Sequence, residues 1–228
     1  MRLRLLLSMV WMNSKKALQP NHKSIGEEET TTISPPRFCV VIHLNILAID
    51  QARNGAWSVF DYEKKELIGY GTYEFPAEKF TYSKAILHIK ELIYAVIKTY
   101  DIKAVFVEDI QMRVSVSSFK KLAQLQGVLV NLFEENEYLY GYIAPSQWQN
   151  FCKARGRNTK EKNSRTIELE RSGKKQSKIL SIQFVKEQFG IDTDDDNLAD
   201  AISLGWYVVN VVEILRRDKS VRKRNVKK

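Results

Sequence analysis

Cysteine and histidine are scarce in this chain of 228 residues. Cys39 and Cys152 are too few and too far apart to form a disulfide framework or a zinc site. The histidines, three in number, do not have the spacing of metal ligands. Both shortages fit a reducing compartment, and any catalytic or metal-binding groups are therefore expected among other side chains.

Long apolar runs and internal repeats are also missing from the sequence. No stretch of about 18 or more consecutive apolar residues occurs, so the sequence predicts no membrane-spanning segment and no membrane partner. The composition is 44% hydrophobic and 11% aromatic. Such a chain is typical of one sizeable folded domain and not of a disordered protein.

Acidic residues are outnumbered, with 27 Asp and Glu against 36 Lys and Arg and a formal net charge of +9. The basic excess is concentrated in residues 153–178 and 214–228, and the rest of the chain has a small excess of acids. Basic tracts are usually a solvated surface. Two of them, in a chain that also carries a cluster of acids, favour nucleic acid as the partner.

The first part of the chain differs in composition from the remainder. Residues 1–37 begin with a basic and apolar segment and continue as polar sequence. This pattern permits a signal peptide, a mitochondrial targeting segment, or a disordered or wrongly assigned leader, and we favour the last. We therefore predict a leader at 1–37, a folded domain at 38–213 with a basic loop at 153–178, and a basic tail at 214–228.

Apolar patterning in the folded domain predicts alternating strands and helices. We expect turns at Asn54-Gly55 and at 63–65. The predicted strands are 38–50, 57–60, 67–75, 104–108 and 138–143, of which the first three form an antiparallel meander. The predicted helices are 77–100, 117–135, 145 to near 156, 179–189, and one that follows the acids at 194–196. This order predicts an α/β domain.

Acids stand where several of these elements begin or end. Asp50 and Glu108 each end an apolar strand, and Asp200 lies inside the apolar last helix. Asp196 and Asn197 precede Asp200 by one helical turn and are expected on the same side. A carboxylate at the edge of a core is costly unless it is paired or bound to a cation. We interpret Asp200 as a metal ligand or catalytic residue, with a plain capped helix as the alternative.

Taken together, the acids predict a two-metal site if their strands are neighbours. Carboxylates on rigid elements repel one another unless cations lie between them, and two Mg²⁺ or Mn²⁺ ions about 4 Å apart satisfy such a cluster. One ion would activate water and the other would stabilise the leaving 3′-oxygen. The predicted chemistry is phosphodiester hydrolysis without a protein nucleophile.

Four stretches of the chain resemble the RuvC-type Holliday junction resolvases of the RNase H-like superfamily, and in particular their phage-encoded branch. The stretches are ILAID at 46–50, VFVE at 105–108, LAQLQGV at 122–128 and DDNLADA at 195–201. Their order and spacing match the family from residue 45 to about residue 207. The resemblance implies an RNase H-like α/β fold, with a five-stranded mixed sheet of a three-stranded antiparallel meander plus two parallel strands, flanked by helices.

The resemblance also implies an activity. In this family a homodimer nicks two strands of a four-way DNA junction symmetrically, with two Mg²⁺, or Mn²⁺, per active site. A crossover junction endodeoxyribonuclease of this kind is expected in the cytoplasm of a bacterium or of a phage-infected cell, while mitochondrial targeting by the leader stays open. The alternatives are an RNase H-like nuclease for other nucleic-acid structures and a non-catalytic relative that binds branched DNA.

The family's four acids correspond to Asp50, Glu108 and a pair that ends at Asp200. The partner acid of the family lies three residues before Asp200, where this chain has Asn197. We expect Asp196 to be the metal ligand instead, and Asn197 is the alternative. The chain also departs from many bacterial members because Gln111 stands where they have an aromatic residue that contacts the opened junction.

Basic residues near these motifs are candidates for DNA binding. By resemblance, Lys175 and Lys178 precede the last helices, and one of them, Lys175 in our assignment, stabilises the pentavalent phosphate. Solvated lysines at a helix start are the equally weighted alternative. Arg113, Lys120 and Lys121 begin the second helix and are predicted phosphate contacts. The basic tail is expected to add affinity through counterion release.

Overall fold

The computed structural model describes residues 44–111, 115–155, 173 and 175–214. The leader predicted at 1–37, Arg113, most of the basic loop and the tail after residue 214 lie outside the described residues. The predictions made for these parts of the chain stay predictions.

A five-stranded sheet forms the centre of the described chain. Its strands are β1 (Asn45–Asp50), β2 (Asn54–Asp61), β3 (Glu66–Glu74), β4 (Ile102–Glu108) and β5 (Leu139–Ile143). Their order across the sheet is β3-β2-β1-β4-β5. Strands β1, β2 and β3 pair antiparallel, whereas β4 runs parallel to both β1 and β5. The predicted mixed sheet, a meander plus two parallel strands, is confirmed.

Five helices cover the two faces of the sheet. They are α1 (Tyr82–Thr99), α2 (Val116–Glu135), α3 (Pro145–Phe151), α4 (Gln176–Phe189) and α5 (Asp196–Val211). Helices α1 and α2 pack on one face, and α3, α4 and α5 pack on the other. None of the helices among the described residues is long and apolar enough to cross a lipid bilayer.

Strand β1 is buried on both faces, which explains its unbroken apolar run. Ile46 and Ala48 face the core under α3, α4 and α5, while Leu47 and Ile49 face the core under α1 and α2. All four side chains are fully buried. Because a central strand of this kind has little freedom to shift, it holds the acid at its end in a fixed place.

The structure corrects three local predictions. Asn54 and Gly55 do not form a turn but begin β2, and residues 51–53 make the connection from β1. A Cβ atom at position 55 would lie 2.5 Å from the carbonyl oxygen of Asp50, so the glycine allows a close backbone approach.

Helix α1 begins at Tyr82, not at residue 77, because the Thr81 side chain caps it. Helix α4 begins at Gln176, so Lys178 is helical and not part of a loop.

The glycine of α5 at position 205 packs directly on β2, and this contact predicts a stability difference. A Cβ atom on Gly205 would lie 2.5 Å from the Phe60 ring and 2.7 Å from the Ser58 hydroxyl, whereas one on Gly127 in α2 would meet nothing within 4 Å. Gly205→Ala should therefore lower the free energy of unfolding by about 1–3 kcal/mol. Gly127→Ala, the matched control, should raise it by about 0.5–1 kcal/mol.

Urea unfolding of the two variants beside the unchanged protein measures both effects. An equal gain in stability from both substitutions would contradict the close packing of α5 on β2.

Candidate active site

Two of the predicted acids lie side by side at one edge of the sheet. Strands β1 and β4 are parallel neighbours, and their register pairs Ile49 with Val107. The next residue of each strand is the acid, so Asp50 and Glu108 are adjacent. The two carboxyl groups are close enough for the charge of Glu108 to raise the pKa of Asp50. The parallel pairing of β1 with β4 thus brings together two acids that are 58 residues apart in the chain.

The third acid comes from α5, which lies across β1 and β2. The Ser58 hydroxyl of β2 donates a hydrogen bond of 2.7 Å to the Ala201 carbonyl of α5 and fixes the helix on the sheet. Asp200, the preceding residue, is only 4% exposed. Its Oδ2 atom accepts a hydrogen bond from Lys178, while its Oδ1 atom is buried without a hydrogen-bond partner.

Lys178 of α4 is the ammonium group that the structure places among these acids. Its Nζ atom pairs with Asp200 and lies 3.1 Å from Oδ2 of Asp196. Burial alone lowers the pKa of Lys178, but the charges of Asp200, Asp50 and Asp196 raise it by more, so the pKa lies above its ordinary value. The lysine therefore stays charged at neutral pH.

The acids repel one another in spite of Lys178. Burial, followed by the charges of Glu108 and Asp200, raises the pKa of Asp50 well above its ordinary value. Burial and the charge of Asp200 raise the pKa of Glu108. Burial also raises the pKa of Asp200, although Lys178 acts in the opposite direction. Among the described residues, the charge of Lys178 does not offset the burial and repulsion of these carboxyl groups.

The donor set fits a hard divalent cation. Carboxylate oxygens are the ligands that Mg²⁺ and Mn²⁺ prefer, and the partnerless Oδ1 atom of Asp200 is such an oxygen in a buried position. In the part of the chain that the structure describes, no group of three acids, histidines or cysteines is already arranged to coordinate a metal ion. The side chains of the cluster would therefore have to adjust their rotamers around a bound ion.

The structure separates the two candidates for the fourth acid. Asp196 lies on the side of Lys178 and Asp200, at the 3.1 Å contact described above. The Asn197 amide instead donates a hydrogen bond of 3.3 Å to the Asn54 carbonyl at the start of β2. Asp195 is the N-cap of α5, and its side chain accepts hydrogen bonds from the backbone N–H groups of Asn197 and Leu198. These contacts favour Asp196, whose role as a metal ligand stays a prediction.

The predicted DNA-binding lysines are not all at the acids. Lys178 contacts them, but Lys175, which we assigned to catalysis, is exposed at the N-cap of α4. Lys120 and Lys121 are exposed in the first turns of α2. Their roles in phosphate contact stay predictions, as does that of Arg113.

Two residues at the site were missed by the sequence analysis. The indole Nε1 of Trp148, in α3, donates a hydrogen bond of 2.9 Å to Oε1 of Glu108. The Gln51 amide donates one of 2.9 Å to the backbone carbonyl of Glu108. Gln51 follows Asp50 directly, which is a weak signal, whereas nothing in the spacing of Trp148 indicates its contact with β4.

A mixed sheet of this order, with acids at the ends of β1 and β4 and on the last helix, has the RNase H-like α/β fold. A family model described as "Crossover junction endodeoxyribonuclease RuvC" matches residues 46–168, more than half of the chain. The chain belongs to the RuvC family of crossover junction endodeoxyribonucleases and is a nuclease. The match includes Asp50 and Glu108 and ends before α5.

Solved structures show the same fold. The structure of Thermus thermophilus RuvC is 15% identical, with a TM-score of 0.54, and the alignment covers 72% of this chain and 92% of that one. The structure of T. thermophilus RuvC in complex with Holliday junction substrate is 14% identical, with a TM-score of 0.53 and the same coverage. No curated protein matches the chain significantly by sequence.

The raised pKa of Asp50 predicts how stability depends on pH without a divalent cation. Its folded pKa exceeds its unfolded value, so its favourable contribution is complete below the unfolded pKa of about 4 and is lost as the pH rises through the folded pKa. The Asp50→Asn variant has no ionisable group at this position. The substitution should therefore raise the melting temperature in EDTA by a few degrees near pH 8, and by less near pH 4.

Thermal unfolding of both proteins at the two pH values measures this difference. Asp192→Asn, at an exposed acid, is the control and should change little at either pH. A lower melting temperature of Asp50→Asn near pH 8 would contradict the repulsion within the cluster.

Proposed function

We propose that this protein resolves Holliday junctions by divalent-cation-dependent hydrolysis of two phosphodiester bonds. The observation that carries the proposal is the convergence of Asp50, Glu108 and Asp200 on rigid elements, where the charge of Lys178 does not offset their burial and repulsion. Repulsion of this kind costs stability, and a site that binds cations gives a physical reason for it. The T. thermophilus relative solved with a Holliday junction supports branched DNA as the substrate.

The residues that would hold the cations are Asp50, Glu108, Asp196 and Asp200, with Asn197 as the alternative to Asp196. We propose Mg²⁺, or Mn²⁺ in its place, and two ions per active site. When bound, such ions supply an activated water molecule and neutralise the charge of the leaving oxygen. The protein itself then needs to supply only position and charge.

The chain's own groups orient and neutralise the phosphate. Lys178 keeps its charge beside the acids, and its side chain is 31% exposed. We propose that it contacts an oxygen of the bound phosphate and favours the extra negative charge of the pentavalent state. Lys175 lies at the start of the same helix and has the same proposed role from a more exposed position.

We propose that the active form is a homodimer. A four-way junction has two equivalent strands to cut, and two copies related by a two-fold axis place one acid cluster at each strand. Lys120 and Lys121, exposed on α2, would contribute phosphate contacts that add affinity and salt dependence.

Cleavage of a labelled four-way junction tests the proposal, with a linear duplex and an RNA–DNA hybrid as the other substrates. We expect paired, symmetric nicks in the junction with Mg²⁺ or Mn²⁺ and none with EDTA. Asp50→Asn should reduce the cleavage rate at least about 100-fold and leave junction binding intact, because the substitution removes a ligand and not a DNA contact.

The matched control is Asp192→Asn, which removes an exposed acid that pairs with Lys186 at 3.3 Å. It should cleave like the unchanged protein. Tight junction binding without cutting in either metal would identify a non-catalytic DNA-binding relative, and preferential cutting of the RNA–DNA hybrid would identify a different nuclease.

A further inference from the structure

The Trp148 side chain is buried at 1% exposure and makes a polar contact with the active site. Its indole Nε1 donates a hydrogen bond of 2.9 Å to Oε1 of Glu108. An indole N–H is a donor only, so this contact favours a carboxylate that accepts. A buried indole usually finds some acceptor, but this acceptor is one of the acids at the end of β4.

The helix that carries Trp148 is capped at its start and contacts α5 at its end. Pro145 begins α3, and the Gln147 side chain accepts a hydrogen bond of 2.9 Å from the Ala144 amide. At the other end, the Cys152 thiol donates to the Ser203 carbonyl of α5 at 3.6 Å. Helix α3 is thereby attached to the helix of Asp200, and the indole reaches β4 from a rigid support.

Glu108 has more side-chain freedom to restrain than the aspartates of the cluster. Its side chain has one more rotatable bond than that of an aspartate, and it stands at the end of a strand. Its backbone carbonyl accepts a hydrogen bond of 2.9 Å from Gln51, which fixes the main chain beside Asp50. That bond leaves the side chain free to rotate. The contact with Trp148 fixes one carboxylate oxygen.

We propose that Trp148 is a positioning residue that orients the Glu108 carboxylate for cation binding and junction cleavage. The inference rests on the proposed function, because it assigns Trp148 to the same site. Groups that hold a ligand carboxylate in place typically change metal affinity or activity on the order of 10- to 100-fold when they are removed.

Trp148→Phe tests the proposal because it removes the N–H donor and keeps an aromatic ring in the core. Calorimetric titration with Mn²⁺ should show a dissociation constant raised about tenfold or more. Junction cleavage should lose kcat at a fixed metal concentration, with junction binding in EDTA unchanged. Trp57→Phe is the matched control, since Trp57 is also buried, at 5% exposure, but packs against Tyr100 and not against an acid.

The Mn²⁺ titrations decide whether Trp148 has a positioning role. Mn²⁺ binding equal to that of the Trp57→Phe control would make Trp148 a core residue only. If the unchanged protein binds Mn²⁺ but does not cut junctions, the proposed function fails and the comparison of Mn²⁺ binding still decides the role of Trp148. If the unchanged protein does not bind Mn²⁺, both proposals are wrong.

A second measurement applies if Trp148→Phe does not fold. In the ¹⁵N-labelled protein, Glu108→Gln should shift the indole N–H resonance of Trp148 and leave that of Trp57 in place. Saturation with Mg²⁺ should also shift the Trp148 resonance in the unchanged protein. A Trp148 indole resonance that shifts neither with Glu108→Gln nor with Mg²⁺ would contradict the positioning role.

Discussion

The burial of several carboxyl groups at one site is the constraint on which the rest of this structure depends. Asp50, Glu108 and Asp200 each have a raised pKa, and burial is the largest cause in every case. A free chain would avoid such an arrangement. The fold imposes it by fixing each acid on an element that is anchored elsewhere, and Lys178 offsets only part of the cost.

The anchoring elements explain the precision of the site. Strand β1 is apolar on both faces and central in the sheet, and β4 pairs with it in parallel, so the two strand-end acids meet at one edge. Helix α5 packs so closely on β2 that a glycine is needed at position 205. The site therefore inherits its geometry from the hydrophobic core, which is the most rigid part of the molecule.

The sequence was informative where the signal is local. Apolar runs ending in an acid located Asp50 and Glu108, and the order of strands and helices along the chain followed from the alternation of patterns. The contacts of Lys178 and Trp148 were not predictable in this way, because they join elements that are far apart in the chain and the first turn of α4 carries no apolar periodicity. The error at Gly55 has a different cause, since glycine is common both in turns and at close backbone contacts.

The carboxyl groups that we expect to destabilise the protein without metal are those proposed to bind divalent cations. A crystal structure determined after soaking in Mn²⁺, with anomalous diffraction to locate the metal, examines this claim most directly. We expect anomalous peaks among Asp50, Glu108 and Asp200, two of them about 4 Å apart. Peaks only at exposed acids would contradict the claim.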